Sequence, residues 1–194
     1  MPTSIETPRF AIEEIRSAIN ARDYARLTER VDRKSFIDLG YDDAIDQLAL
    51  NCERFHQKYP DDLLFKFGAT ALRAYNAMFR SVHIGLITSI IRAYFDKKFD
   101  SPPSFSSDPI GCCSHHFDRL VGAIRSEIVE ENRDNVTVEL RAELIGTLRI
   151  RLETALVDGR RRVIKIANAD ELVEPIVDIA ERVWPREWDR GIQL

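Results

Sequence analysis

The stretch NVTVELRAELIGTLRIRLETALVDGRRRVIKIANA, Asn135 to Ala169, decides the fold class. From Asn135 onward, Val136, Val138, Leu140, Ala142 and Leu144 alternate with Thr137, Glu139, Arg141 and Glu143. A repeat of two sends alternate side chains to opposite faces of a strand, so one face is expected to be buried and the other wet. A second run sets Leu148, Ile150, Leu152 and Leu156 against Arg149, Arg151 and Glu153, and a third carries Val163, Ile164 and Ile166. Strands usually run to about five or six residues, so Val136 to Val157 is too long for one, and Gly146 must mark a turn, a bulge or a sharp bend. Asp158-Gly159, between two alternating runs, is a hairpin turn. The expectation is an antiparallel β-meander over residues 135–169.

Upstream the period is helical. Ala11, Ile12, Ile15, Ala18 and Ile19 recur at three- and four-residue spacing, with Thr7-Pro8 as cap and first helical residue. A break at Asn20 to Asp23 gives a second short helix, capped by Asp23, with Tyr24, Leu27 and Val31 on its apolar face. Gly40 ends a short turn, and Asp42 or Asp43 caps a third helix that Pro60 stops. Asp61 and Asp62 cap the next stretch, whose apolar face from Leu64 to Phe95 is too long for one ordinary helix and is expected to bend or restart around His83 to Gly85. Asp100 to Pro109, with three prolines and four serines, is a loop. Phe117, Leu120, Val121, Ile124 and Ile128 define a further helix ending in the polar run Glu130 to Asp134. A last helix spans Glu171 to Trp184, with Pro175 near its first turn. One α+β domain over residues 1–194 follows: a helical layer over 8–132, the meander, and a C-terminal helix over 171–184.

Composition narrows the function classes. The 194 residues are 44% hydrophobic and 31% charged with a formal net charge of −4, and acids and bases are interspersed. No basic field of the kind that attracts a phosphate backbone results, so nucleic acid is not an expected partner. The longest apolar stretch, Ile84 to Ile91, holds Gly85, Thr88 and Ser89 and falls short of the ~20 residues that span a bilayer. Met1 to Arg9 has no apolar core of a secretory signal, and the odd set Cys52, Cys112 and Cys113 suggests no disulfide framework. No membrane partner is expected, and the cytoplasm is the expected location.

Cys112-Cys113-Ser114-His115-His116 is the one cluster of metal-ligand residue types. Adjacent cysteines and adjacent histidines do not reach one tetrahedral ion easily, so no metal and no cofactor is expected, and Ser114 reads instead as a helix cap. A Cys–His nucleophile using Cys112 or Cys113 with His56, His83, His115 or His116 needs a meeting in space that spacing alone does not supply. Of the pairs Glu13-Glu14, Asp42-Asp43, Asp61-Asp62 and Glu130-Glu131, most sit at expected helix starts and read as capping carboxylates rather than acid–base pairs. Arg160, Arg161 and Arg162 fall at the hairpin tip, where solvated charge deters edge pairing. Phe65, Tyr75, Phe79, Tyr94 and Phe95 read as an aromatic core face, His83 as a core-edge histidine, and Trp184 and Trp188 as packing residues. No catalytic residue is assigned.

Two passages carry a resemblance. AINARDYARLTERVDRKSFIDLGYDD, Ala18 to Asp43, resembles the opening of small uncharacterised bacterial domains of the NTF2-like, or cystatin-like, α+β fold, and LRIRLETALVDGRRRVIKIANADEL, Leu148 to Leu172, resembles their closing hairpin. Such domains commonly place an aromatic shortly after the hairpin glycine, where this chain has Arg160 to Arg162. The resemblance implies a curved sheet wrapping helices into a cone, a fold that serves enzymes, binders and dimerising scaffolds alike. The expected function is a non-catalytic domain that binds a small apolar ligand or a protein partner, with a homodimer expected. The alternative is a small isomerase, dehydratase or hydrolase using an aspartate or histidine inside the cone.

Overall fold

Asp158 and Gly159 both take left-handed backbone angles, φ 51° and 77°, as a two-residue type I′ hairpin requires. Around that turn, in a computed structural model that describes residues 6–96, 107–143 and 145–183, strands pair into one antiparallel sheet of order β1-β2-β3-β4. They are β1 (Arg125–Glu131), β2 (Asn135–Ala142), β3 (Gly146–Val157) and β4 (Arg160–Ile166). Gly146, at φ 66°, opens β3 opposite Ala142, so the expected break between the first two runs is a turn. The length of β3 is absorbed by stagger. Its first part, through Glu153, pairs with β2, its last part pairs with β4, and a register shift falls between Glu153 and Thr154.

The meander begins ten residues earlier than the alternation at Asn135 suggests. The helix containing Phe117 ends at Ala123, and Ile128 sits in β1 opposite Val138. A spacing of four, as between Ile124 and Ile128, satisfies both a strand repeat of two and a helical repeat near 3.6, which explains the misreading. The polar run Glu130 to Asp134 holds the β1–β2 turn, where Asn132 Oδ1 accepts from the amides of Asp134 and Asn135 at 3.2 and 2.9 Å.

Eight α-helices accompany the sheet among the described residues: α1 (Pro8–Ala21), α2 (Tyr24–Arg30), α3 (Gly40–Leu50), α4 (Cys52–Lys58), α5 (Leu63–Lys66), α6 (Gly68–Phe95), α7 (Pro109–Ala123) and α8 (Ala169–Val183). Thr7, Asp23 and Asp62 cap α1, α2 and α5 as expected. Gly40 ends nothing: it is helical at φ −62°, and a π-helical turn over Lys34–Leu39 runs into α3, whose first turn holds Asp42 and Asp43. Gly68, at φ 80°, opens α6 after a gap of one residue from α5, and α6 then runs its 28 residues without the break expected near His83. Asp108, not Ser114, caps α7, and Ser114 is buried within it. Pro175 lies inside α8. Trp184, Trp188 and most of the Asp100 to Pro109 loop lie outside the described residues. Among those described, no helix is long and apolar enough to cross a membrane.

Two apolar clusters hold these parts together. Ile12 of α1 meets Val136, Val138 and Val163 on one face of the sheet, with Ile15, Phe36, Ile128, Leu140 and Leu152 around them. Cys52, Phe55 and Phe65 pack on Val173 and Val177 of α8. The chain returns to β4 at Val31, which bridges Val163, and the Asp32 amide donates to Val163 O at 2.9 Å.

Of the three arginines expected to be solvated, Arg160 is half exposed, Arg162 is largely covered and Arg161 is buried. It follows the alternation of Val163 onto the buried face and is 6% exposed. Its Nε donates to Glu6 O at 3.0 Å and its Nη1 to Asp134 Oδ1 and Thr154 Oγ1, each at 3.2 Å, while its amide donates to Glu6 Oε2 at 2.9 Å. The Glu6 carboxylate also accepts from Arg30 at 2.5 Å. Arg160 reaches Glu29 from the surface, and Arg162 pairs with Asp158 at 3.6 Å. Arg161→Met removes the guanidinium shared by Glu6 O, Asp134 Oδ1 and Thr154 Oγ1, although Thr154 keeps its bond to Asp134 O at 3.0 Å, so it is expected to cost about 2 kcal/mol in urea unfolding, against about 0.5 kcal/mol or less for Arg160→Met. Equal losses would contradict the burial assigned to Arg161.

Candidate functional site

Strand β4 ends at Ile166 and α8 starts three residues later, while α3 runs past the same strand end, tied to it by Lys165 Nζ to Asp43 Oδ2 at 3.3 Å. A groove of about 300 Å³ opens between α3, α5 and α8. Its walls are Ala44 and Leu48 of α3, Leu64 and Phe65 of α5, Ile166, and Leu172, Val173, Ile176 and Val177 of α8. Room is left by small residues: Gly40, Ala44, Ala169 and Ala180 stand where larger side chains would fill it, and a Cβ on Gly40 would meet nothing within 4 Å. Phe65, Leu172 and Val173 are buried in its floor, and Leu64 and Ile176 stand exposed at its rim.

Among the described residues, Asp62 and Glu181 alone bring charge to the lining. Asp62 is committed to capping α5, accepting from the Leu64 amide at 2.7 Å. Ion pairs brace α8 on its α4 side. Arg54 Nη2 meets Glu174 Oε2 at 2.9 Å, and Asp178 accepts from Lys58 Nζ at 2.7 Å and from Tyr59 Oη at 2.6 Å. Such a site offers chiefly apolar contact on a braced frame.

The residue types singled out for chemistry are scattered or spent. Burial pushes the Cys112 thiol up, with Asp108 adding to it, and burial chiefly raises Cys113 too. Both stay protonated at neutral pH, the opposite of what a nucleophile needs. Burial lowers His116, helped by His115 and Arg119. No three His, Cys, Asp or Glu side chains among the described residues are grouped to hold a metal. Of the paired carboxylates, Asp62 alone caps a helix; Glu14 meets Arg26 at 2.9 Å, Asp42 meets Arg80 at 2.7 Å and Glu131 meets Arg9 at 3.2 Å. The aromatic set also divides: Phe65, Tyr94 and Phe95 are buried, whereas Tyr75 and Phe79 reach solvent.

Sequence reading missed one polar cluster. Tyr41 donates to Asn76 Oδ1 and lies 2.5 Å from His83 Nδ1. With the phenol proton given to Asn76, the histidine contact is Nδ1–H donating to the phenol oxygen, which confirms His83 as a hydrogen-bonded core-edge histidine. Burial raises the Tyr41 pKa. An asparagine among Leu72, Tyr75 and Phe79 was the available signal.

The outer face of the sheet is charged. Glu139 is 2% exposed, covered by Arg149, whose Nε donates at 2.8 Å, and by Arg141. These hydrogen bonds, Arg149 first, hold the Glu139 carboxyl below the usual range. No family model matches the chain, and no curated protein or solved structure is significantly similar to it.

Because Glu139 releases its proton more readily in the folded chain than in the unfolded one, its contribution is complete above the unfolded value of about 4.3 and fades as the pH falls through the lower folded value. Glu139→Gln is therefore expected to flatten the fall of urea stability in that acid range. An unchanged acid profile would contradict the role given to the two arginines.

Proposed function

We propose that the protein is a non-catalytic binding domain whose groove between α3 and α8 accepts apolar groups presented by a partner. The observation that carries this reading is the lining: aliphatic and aromatic side chains between helices braced by ion pairs, opened by glycine and alanine, with Asp62 engaged as a helix cap. At about 300 Å³ and open to solvent, the groove suits a few side chains of an amphipathic segment better than full enclosure of a ligand.

Kinship with NTF2-like domains rests on the passages Ala18 to Asp43 and Leu148 to Leu172, with support from an antiparallel meander that carries helices against one face. In that reading the meander is the wall of the cone and the groove opens at its edge, beside Ile166. A second reading, a small enzyme of that class, draws on His83 held by Tyr41. Turnover of a carbonyl or ester substrate that is lost in His83→Asn would favour it.

The groove is tested with the fluorescent apolar probe anilinonaphthalene sulfonate. Ala44→Phe and Ala180→Phe fill the space, and together they are expected to weaken probe binding at least about tenfold, a change of ~1.4 kcal/mol, with far-UV circular dichroism unchanged. Unaltered probe affinity in the filled variant would remove the proposal.

A further inference from the structure

An exposed helix face in a soluble protein is ordinarily charged, but the outward face of α6 is not. Tyr75, Met78, Val82 and Leu86 form a row along it, exposed by 51%, 74%, 61% and 44%. Beside each stands a small, exposed neighbour: Ala74, Ala77, Ser81 and Gly85. Between Ala74 and Ser89 the only permanently charged residue is Arg80, and its guanidinium is turned to Asp42, with two nitrogens at 2.7 Å from the carboxylate. α6 has no acidic residue anywhere along its length.

We propose that this face is a homodimer interface in which α6 of one copy packs on α6 of another. Three observations select a second copy of the chain over other occupants. A large row beside a small row is self-complementary: a two-fold axis running along the helices lays the large row of each copy on the small row of the other, as ridges enter grooves. The face is neutral because its cation is satisfied within its own chain, so pairing it with itself buries no unmatched charge. The area also fits. With aromatic side chains offering roughly 150–250 Å² each and the aliphatic ones somewhat less, the four exposed residues and Phe79 leave roughly 500 Å² open. The alanine, serine and glycine row extends that toward the ~800 Å² per partner of a standard interface.

Gly85 adds an independent pointer. Glycine is among the poorest residues for a helix interior, and among the described residues a Cβ at Gly85 would meet no atom within 4 Å. Close approach of a second helix supplies a reason for it. The sheet face is the poorer alternative, because Arg125 and Arg141 lie directly opposite one another there, with Arg149 and Arg151 on the next strand.

The test is sedimentation equilibrium on the full chain. The unaltered protein is expected at twice 22.3 kDa at micromolar concentration. Val82→Glu and Met78→Glu should each raise the dimer dissociation constant by about 100-fold or more, with circular dichroism unchanged. Gly85→Leu should raise the thermal midpoint of the monomer while weakening the dimer. A protein that stays monomeric overturns the proposal. So does a dimer indifferent to Val82→Glu and Met78→Glu, and so does one broken instead by Ile176→Glu in the groove.

Discussion

A single buried guanidinium joins parts of the chain that are far apart in sequence. Arg161 lies on the face of β4 that carries Val163, and from there it holds Glu6 at the head of α1, Asp134 at the β1–β2 turn and Thr154 at the irregularity of β3. Four residues from four segments thereby share one charge. Burying a cation is costly unless its donors are matched, so the same contact that stabilises the fold also fixes where the N-terminal hairpin rests. Val163, two residues on, adds the apolar half of the joint through Ile12 and the backbone half through Val31 and Asp32.

The groove follows from that joint. From Asp32 the chain passes through its π-helical turn into α3, and from Ile166 it turns into α8. Both walls of the groove thus hang from β4. Lys165 fixes α3 to the strand, while Asn168 bonds the β3 backbone at Arg149 O and the Arg151 amide, at 3.1 and 2.8 Å, and so sets where α8 departs. A site built from small residues between two anchored helices can stay open because its frame does not depend on filling it.

Features set by neighbours in sequence were legible. The turns at Gly146 and Asp158-Gly159 and the caps Thr7, Asp23 and Asp62 follow from backbone angles and side-chain reach within a few residues. Features set by contacts between distant segments were not. Arg161 reads as one of three surface arginines until strand alternation from Val163 is followed backward, and only Glu6, Asp134 and Thr154 explain why it can be buried. Strand β1 was hidden by a spacing of four that serves both repeats. The aromatic face from Tyr75 to Phe95 looked continuous, but α6 turns part of it outward, away from its own chain. The groove had no local signature, since its lining comes from α3, α5, β4 and α8 together.

Glu14, Asp42 and Glu139 are engaged by arginines and burial keeps the Cys112 and Cys113 thiols protonated, while several stretches of apolar surface stand exposed. The groove is the part of that surface held on a frame of anchored helices, and its use as a binding site is the central claim. Methyl-resolved NMR during titration with an apolar probe tests it most directly. The expected result is shifts concentrated at Ala44, Leu48, Ile166, Leu172, Ile176 and Ala180; shifts spread over the surface, or confined to α6 with the groove silent, would contradict it.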